Sequence, residues 1–162
     1  MKRIIAALLS FALLFTLTAC GQAKQENMEK NDAGELQNMQ TMDVDKTLIL
    51  YFSYSGNTEK VAKQIADYTG ADIIRLEPVD PYPEDYDACV ARAEAEHPAN
   101  ARPELKTELN NLSDYDTIIL GWPCWNYSCP MLILTMLEQY DFSDKTILPF
   151  TTHGGSGFAQ SI

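Results

Sequence analysis

The stretch that most constrains this chain is Ser53-Tyr54-Ser55-Gly56-Asn57-Thr58, read with its two flanks. Before it runs the apolar segment Thr47-Leu48-Ile49-Leu50-Tyr51-Phe52; after it, Val61, Ala62, Ile65 and Ala66 recur at helical spacing. A nearly continuous apolar run of this length reads as a strand, 47–53, buried on both faces. The succession is therefore strand, short hydroxyl-rich turn, helix. Such a turn gathers backbone N–H groups and hydroxyls at the positive end of a helix dipole, which suits a phosphate. A Gly-Lys-Ser/Thr ending is absent, so no lysine reaches a terminal phosphate, and G-x-G-x-x-G is absent as well. What remains is a cradle of the Ser53, Ser55 and Thr58 hydroxyls, the Asn57 amide and the N–H groups around Gly56, with no charged side chain in it. It suits a phosphomonoester that is bound and not turned over. An ordinary helix start, turned by Gly56 and capped by Asn57 or Thr58, is the plain alternative.

The rest of the chain repeats the strand-to-helix alternation. A helix is expected over 57–69, stopped by Gly70, and a second strand over 72–76. Pro81 and Pro83 exclude regular structure, and a helix follows over 84–97 with Tyr86, Cys89, Val90, Ala93 and His97 on one face. Residues 98–114 read as a polar connection and 116–121 as a third strand. The next helix has Ser128 as its cap, Pro130 in its first turn, and a wide apolar face of Met131, Ile133, Leu134, Met136, Leu137 and Tyr140. The fourth strand is 145–151. This order predicts an α/β fold: a doubly wound parallel sheet between helices, three layers in all. Ligands of such sheets sit beyond the C-terminal strand ends, where the fold would collect loops 53–58, 121–128 and 151–158.

The N-terminus has a different character. Lys2-Arg3 precedes an apolar run, Ile4 to Leu17, that is short for a membrane span and closes on Leu17-Thr18-Ala19-Cys20. This resembles a bacterial lipoprotein signal, which implies removal of residues 1–19 and lipidation of Cys20. Residues 20–46 are too polar to build a core and read as a tether. The expected location is the extracytoplasmic face of the cell membrane, with any cofactor acquired there after export. The formal charge is −11 over 162 residues, and losing Lys2 and Arg3 leaves 10 basic against 23 acidic residues. With no basic cluster, nucleic acid is a poor partner. Cys124 and Cys129 stand five apart in one loop, without metal-site spacing; pairing suits an exported protein, and unpaired thiols are the simpler expectation.

Taken together, the phosphate cradle, the aromatic loop Gly121-Trp122-Pro123-Cys124-Trp125-Asn126-Tyr127 and the glycine-rich Thr152-His153-Gly154-Gly155-Ser156-Gly157 resemble the flavodoxin-like family over residues 47–162. Pro81-Tyr82-Pro83-Glu84-Asp85-Tyr86 is similar to a subgroup of it. The resemblance implies non-covalent FMN. By position, Ser53, Ser55, Asn57 and Thr58, with Tyr54 and Gly56 in the same loop, would hold the phosphate. Trp122, Pro123, Cys124 and Trp125 would face the ring, with Asn126 and Tyr127 beside them. Thr152, His153, Gly154 and Gly155 would border its polar edge. Relatives often carry an aliphatic residue, two aromatics and glycine after the first Trp-Pro, so either Trp125 or Tyr127 would stack. The family order is 2-1-3-4-5, whereas four strands are read here; the expectation is a domain whose last strand and helix are missing, with strand 145–151 left as an apolar edge.

The function implied is electron carriage through FMN, with no acid, base or nucleophile from the protein, and transient docking on a redox partner bearing a basic patch. One alternative is an NAD(P)H-dependent FMN oxidoreductase of quinones or other small acceptors, in which His153 polarises or protonates the substrate. The other is an exported lipoprotein that keeps the fold without a flavin.

Overall fold

The computed structural model describes residues 43–161. The signal segment, Cys20 and the tether as far as residue 42 lie outside the described residues. Residues 43–46, at the end of the expected tether, already belong to the folded unit. Val44–Lys46 form a 3-10 turn, Val44 packs against the sheet, and Lys46 pairs with Asp116 at 3.3 Å.

Four strands, β1 (Thr47–Tyr51), β2 (Asp72–Arg75), β3 (Thr117–Pro123) and β4 (Thr146–Thr152), form one parallel sheet in the order β2-β1-β3-β4. The register is continuous: Leu48 faces Asp72 on one side and Ile118 on the other, and Ile118 faces Ile147. Three helices are described, α1 (Asn57–Thr69), α2 (Tyr86–Glu96) and α3 (Met131–Gln139). This is the α/β arrangement expected from the alternation. Every residue of β1 is buried, as its unbroken apolar run requires of a central parallel strand.

Side-chain alternation assigns each strand residue to a layer. Leu48, Leu50, Phe52, Ile118, Leu120 and Trp122 enter the larger core with Cys89 of α2 and Leu132, Ile133 and Met136 of α3. Ile49, Tyr51 and Ile119 enter the smaller core beneath α1, with Ala62 and, partly buried, Ile65, Ala66 and Phe150. Each fully buried Leu or Ile contributes about 1.5–3 kcal/mol.

Three local expectations need correction. The 98–114 connection is not merely polar: Leu105, Leu109 and Leu112 are buried in the larger core, and Leu105 forms an antiparallel bridge with Pro78. The inner face of α2 does not include Tyr86 or His97, which are exposed. Cys89 points inward, and Arg92 and Glu96 fold over buried Tyr82; the guanidinium lies 4.3 Å from the ring centroid, and the Tyr82 hydroxyl donates to Glu96 Oε2 at 2.7 Å. The Tyr82 hydroxyl is pushed well above its ordinary pKa, first by burial and then by that carboxylate. Ser128 does not cap α3; its backbone is engaged by Trp125, and Pro130 occupies the cap position.

Among the described residues β4 has one neighbour, β3, and its Ile147 and Leu148 are exposed. The apolar edge expected of this strand is therefore present.

Candidate functional site

The end of β1 builds the first part of the site. Phe52 N–H donates to the Gly121 carbonyl at 3.0 Å, so the chain leaves the sheet directly beside the end of β3. Gly56 then turns it into α1 with φ 85°, a left-handed conformation that glycine adopts without steric cost. Gly56 supplies no side-chain cap, and neither Asn57 nor Thr58 acts as one, since both lie inside the helix. Asn57 Nδ2 instead donates to Ser55 Oγ at 3.1 Å. Ser53 is 1% exposed, and its Oγ has no hydrogen-bond partner among the described residues. A buried hydroxyl left unpaired costs about 1–3 kcal/mol, so its O–H is a donor that a ligand acceptor would satisfy. A phosphate oxygen meets that need, and it would also take up the uncapped amides of the first turn of α1.

Arg75 is the neighbour that the sequence did not point to. It stands on β2, next to β1 in the sheet, and its Nη2 donates to the Ser53 carbonyl at 2.8 Å while Nη1 holds Glu59 Oε2 at 2.7 Å. Glu59 also accepts from Lys63, and that bond, reinforced by the charges of Lys63 and Arg75, holds its carboxyl below the usual range. Arg75 Nε also lies 3.9 Å from Glu77 Oε1, so two carboxylates and two cations balance beside the cradle, where the chain as a whole is strongly negative.

Side chains and backbone tie the three loops together. Thr58 Oγ1 and Thr152 Oγ1 share a hydrogen bond of 2.8 Å, joining the first loop to the third. Cys124 N–H donates to the Thr152 carbonyl at 2.9 Å, and Ser156 Oγ donates to Cys124 Sγ at 3.3 Å, joining the second to the third. Tyr54 and Trp125 rings meet edge-on with centroids 6.0 Å apart, joining the first to the second. The Tyr54 hydroxyl shares its proton between the carbonyls of Pro83 and Glu84, at 2.8 and 2.9 Å, which docks the Pro81–Asp85 turn on the site.

The aromatic residues occupy different environments. Trp122 is buried in the larger core, edge-on to Phe158, with its indole N–H unpaired among the described residues. Trp125 is half-buried, and its ring meets those of Phe52 and Tyr82 edge-on at 5.5 and 5.0 Å. Tyr127 is 69% exposed. Cys124, Asn126, Tyr127, Gly154, Gly155 and Ser156 line an open hollow of about 470 Å³. That is within the roughly 300–1,000 Å³ of typical small-molecule sites. On its rim Gly155 N–H donates to His153 Nδ1 at 2.9 Å, so a neutral His153 carries its proton on Nε2.

The predicted binding residues therefore gather at the C-terminal edge of the sheet: in the three loops, at the ends of β3 (Trp122, Pro123) and β4 (Thr152), and in the first turn of α1 (Asn57, Thr58). Trp122 is the one turned into the core, and Tyr127 is the aromatic left open to solvent beside the hollow.

Comparison with known proteins gives the same architecture. The family model for flavodoxin matches residues 46–162. A candidate flavoprotein from Bacteroides uniformis has 34% identity and a TM-score of 0.66, covering 72% of this chain and 77% of that one. One from Bacteroides eggerthii has 32% identity and a TM-score of 0.67, covering 72% and 76%. A flavoprotein from Lactobacillus acidophilus, solved in complex with FMN, has 27% identity and a TM-score of 0.63, covering 68% and 76%. No curated protein matches.

Proposed function

The chain belongs to the flavodoxin family, and from that premise we propose that its three strand-end loops hold FMN and that it carries electrons to and from a partner protein. The observation that carries this reading is the buried, unpartnered Ser53 hydroxyl at the head of a helix start that lacks a side-chain cap. A purely structural turn would have a cap or a solvated serine there.

In this reading Ser53, Ser55 and the first amides of α1 hold the phosphate by hydrogen bonds, and Arg75 fixes the loop by its bond to the Ser53 carbonyl. Thr58 and Thr152 keep the first and third loops in register. Tyr127, exposed beside the hollow, is the aromatic free to cover a flat ring, while Trp125 braces the loop from behind. Gly154 and Gly155 have open space where a Cβ would stand, so backbone can approach the ring edge closely. Bound FMN would supply the electron-transfer chemistry. The surrounding acidic chain would oppose added negative charge at the ring and so lower its potential. A partner with a basic patch would dock faster at low ionic strength. Cys20 would anchor the domain to the extracytoplasmic membrane face, which fatty-acid labelling of wild type but not of Cys20→Ala would test.

The test of FMN binding is a fluorescence titration of FMN with the full chain in mild detergent, run in parallel with riboflavin. Stoichiometric quenching with at least about tenfold preference for FMN is expected, equivalent to about 1.4 kcal/mol from the phosphate. Unquenched flavin at micromolar protein would contradict the cofactor, and equal affinity for riboflavin would contradict the cradle.

One observation favours a second reading, an NAD(P)H-dependent reductase. With Nδ1 engaged by Gly155, His153 presents an N–H donor at the rim of the hollow. NAD(P)H oxidation with a quinone acceptor, above the rate with free FMN and lost in His153→Ala, would support it; turnover no faster than free FMN would remove it.

A further inference from the structure

Cys124 and Cys129 flank a tight hairpin, and the FMN reading gives their two thiols no chemistry. Trp125 and Ser128 exchange both backbone hydrogen bonds, at 2.9 and 2.8 Å, and form an isolated antiparallel bridge. The two residues between them, Asn126 and Tyr127, both have positive φ, 49° and 59°. That is the two-residue primed turn whose twist matches antiparallel strands. Cys124 and Cys129 stand one step outward from this isolated closing pair. In a regular hairpin that step is a non-hydrogen-bonded pair with Cα atoms about 4.5 Å apart, inside the roughly 4.4–6.8 Å that disulfides span. Four intervening residues are the spacing that puts two cysteines on this pair around a two-residue turn. Cys89, on α2, has no such placement.

We propose that Cys124 and Cys129 form a reversible dithiol–disulfide couple, oxidised by exchange with a small-molecule disulfide. Cys124 is half-exposed on the wall of the hollow, whereas Cys129 is buried and its thiol pKa is pushed up by that burial. Cys124 is therefore the thiol that meets the oxidant. Its thiolate attacks one sulfur of the small disulfide, that S–S bond breaks, and one small thiolate leaves. The Cys129 thiolate then attacks Cys124 Sγ in the mixed disulfide, closing the intramolecular bond and expelling the second small thiolate. Two electrons pass from the cysteine pair to the small disulfide, and the two cysteine protons end on the departing thiols. Closure turns Cys124 Sγ away from Ser156 Oγ, which now donates to it at 3.3 Å, and so removes one of the ties between the second and third loops. The redox state of the pair thereby reaches the rim of the hollow.

The test equilibrates the full chain with glutathione buffers from fully reduced to fully oxidised, quenches in acid, alkylates remaining thiols and maps peptides by mass. No lysine or arginine lies between Lys106 and Lys145, so one tryptic peptide holds both cysteines. In oxidised buffer this peptide should lose both alkyl labels and the mass of two hydrogens, while Cys89 stays labelled; reduction should restore the labels. Cys129→Ser should instead accumulate a glutathione adduct on Cys124. Full labelling of both cysteines in the most oxidising buffer, or a stable glutathione adduct on wild-type Cys124, would overturn the proposal. None of these readouts requires bound FMN, so failure of the couple is distinguishable from failure of the cofactor assignment.

Discussion

Replacing Ser53 by alanine should change stability and flavin affinity in opposite directions. In the free protein the Ser53 hydroxyl is buried without a partner. Removing it relieves a desolvation penalty of about 1–3 kcal/mol, offset in part by the small cavity that the lost oxygen leaves. The variant is therefore expected to unfold at an equal or higher urea concentration, by up to about 1 kcal/mol. In the FMN complex the same hydroxyl would donate to a charged phosphate oxygen. Such bonds contribute about 1.5–3 kcal/mol, so affinity should fall roughly 10- to 150-fold. Urea unfolding of the free variant and fluorescence titration of FMN give the two numbers. A variant destabilised by more than about 1 kcal/mol would mean that Ser53 has a structural bond after all. Unchanged FMN affinity would mean that its hydroxyl does not face the phosphate. Either result refutes the reasoning.

Other substitutions probe the frame around the site. A Cβ on Gly121 would fall 2.1 Å from Cζ of the Phe150 ring, so Gly121→Ala should cost about 1–3 kcal/mol in urea unfolding, and Phe150→Leu in the same chain should recover part of it; no loss would show that the β3–β4 contact is looser than described. Thr58→Val and Thr152→Val should each destabilise, and the double variant should cost less than their sum by about 0.5–1.5 kcal/mol; strict additivity would deny the hydrogen bond between the loops. The Tyr115 hydroxyl is raised from 10.0 to about 12, first by its bond to Asp72 and then by burial. Its protonated form is thus favoured in the folded state, so its contribution is full below pH 10 and is lost as pH rises toward about 12. Wild type should lose more stability than Tyr115→Phe across that window, and parallel curves would refute the assignment.

Much of this fold is legible in the sequence because a central parallel strand cannot hide its composition. The run from Thr47 to Phe52 announces burial on both faces, and Gly56 and Gly70 mark the helix that follows. The strand-end loops are legible for the same reason, since the alternation places them at one edge before any side chain is located. What escapes is whatever depends on partners distant in sequence. Leu105, Leu109 and Leu112 stand at helical spacing, i, i+4 and i+7, yet the connection forms no α-helix over them, so their burial follows from its route and not from a regular element. Arg92 and Glu96 look like solvent-facing charges until Tyr82 supplies a ring and a hydroxyl between them. Arg75 reaches Ser53 only because β2 neighbours β1. Trp122 reads as a platform by its loop, yet strand alternation turns it toward the core with Leu120 and Ile118. Ser128 reads as a helix cap, but its backbone closes the hairpin to Trp125 instead.

One ligand is expected to span all three loops, and a crystal structure of the chain with FMN would locate it. The phosphate is expected on Ser53, Ser55 and the first amides of α1, with the ring in the hollow between Tyr127 and Gly154-Gly155. A phosphate bound elsewhere, or a ring resting away from the second and third loops, would contradict it.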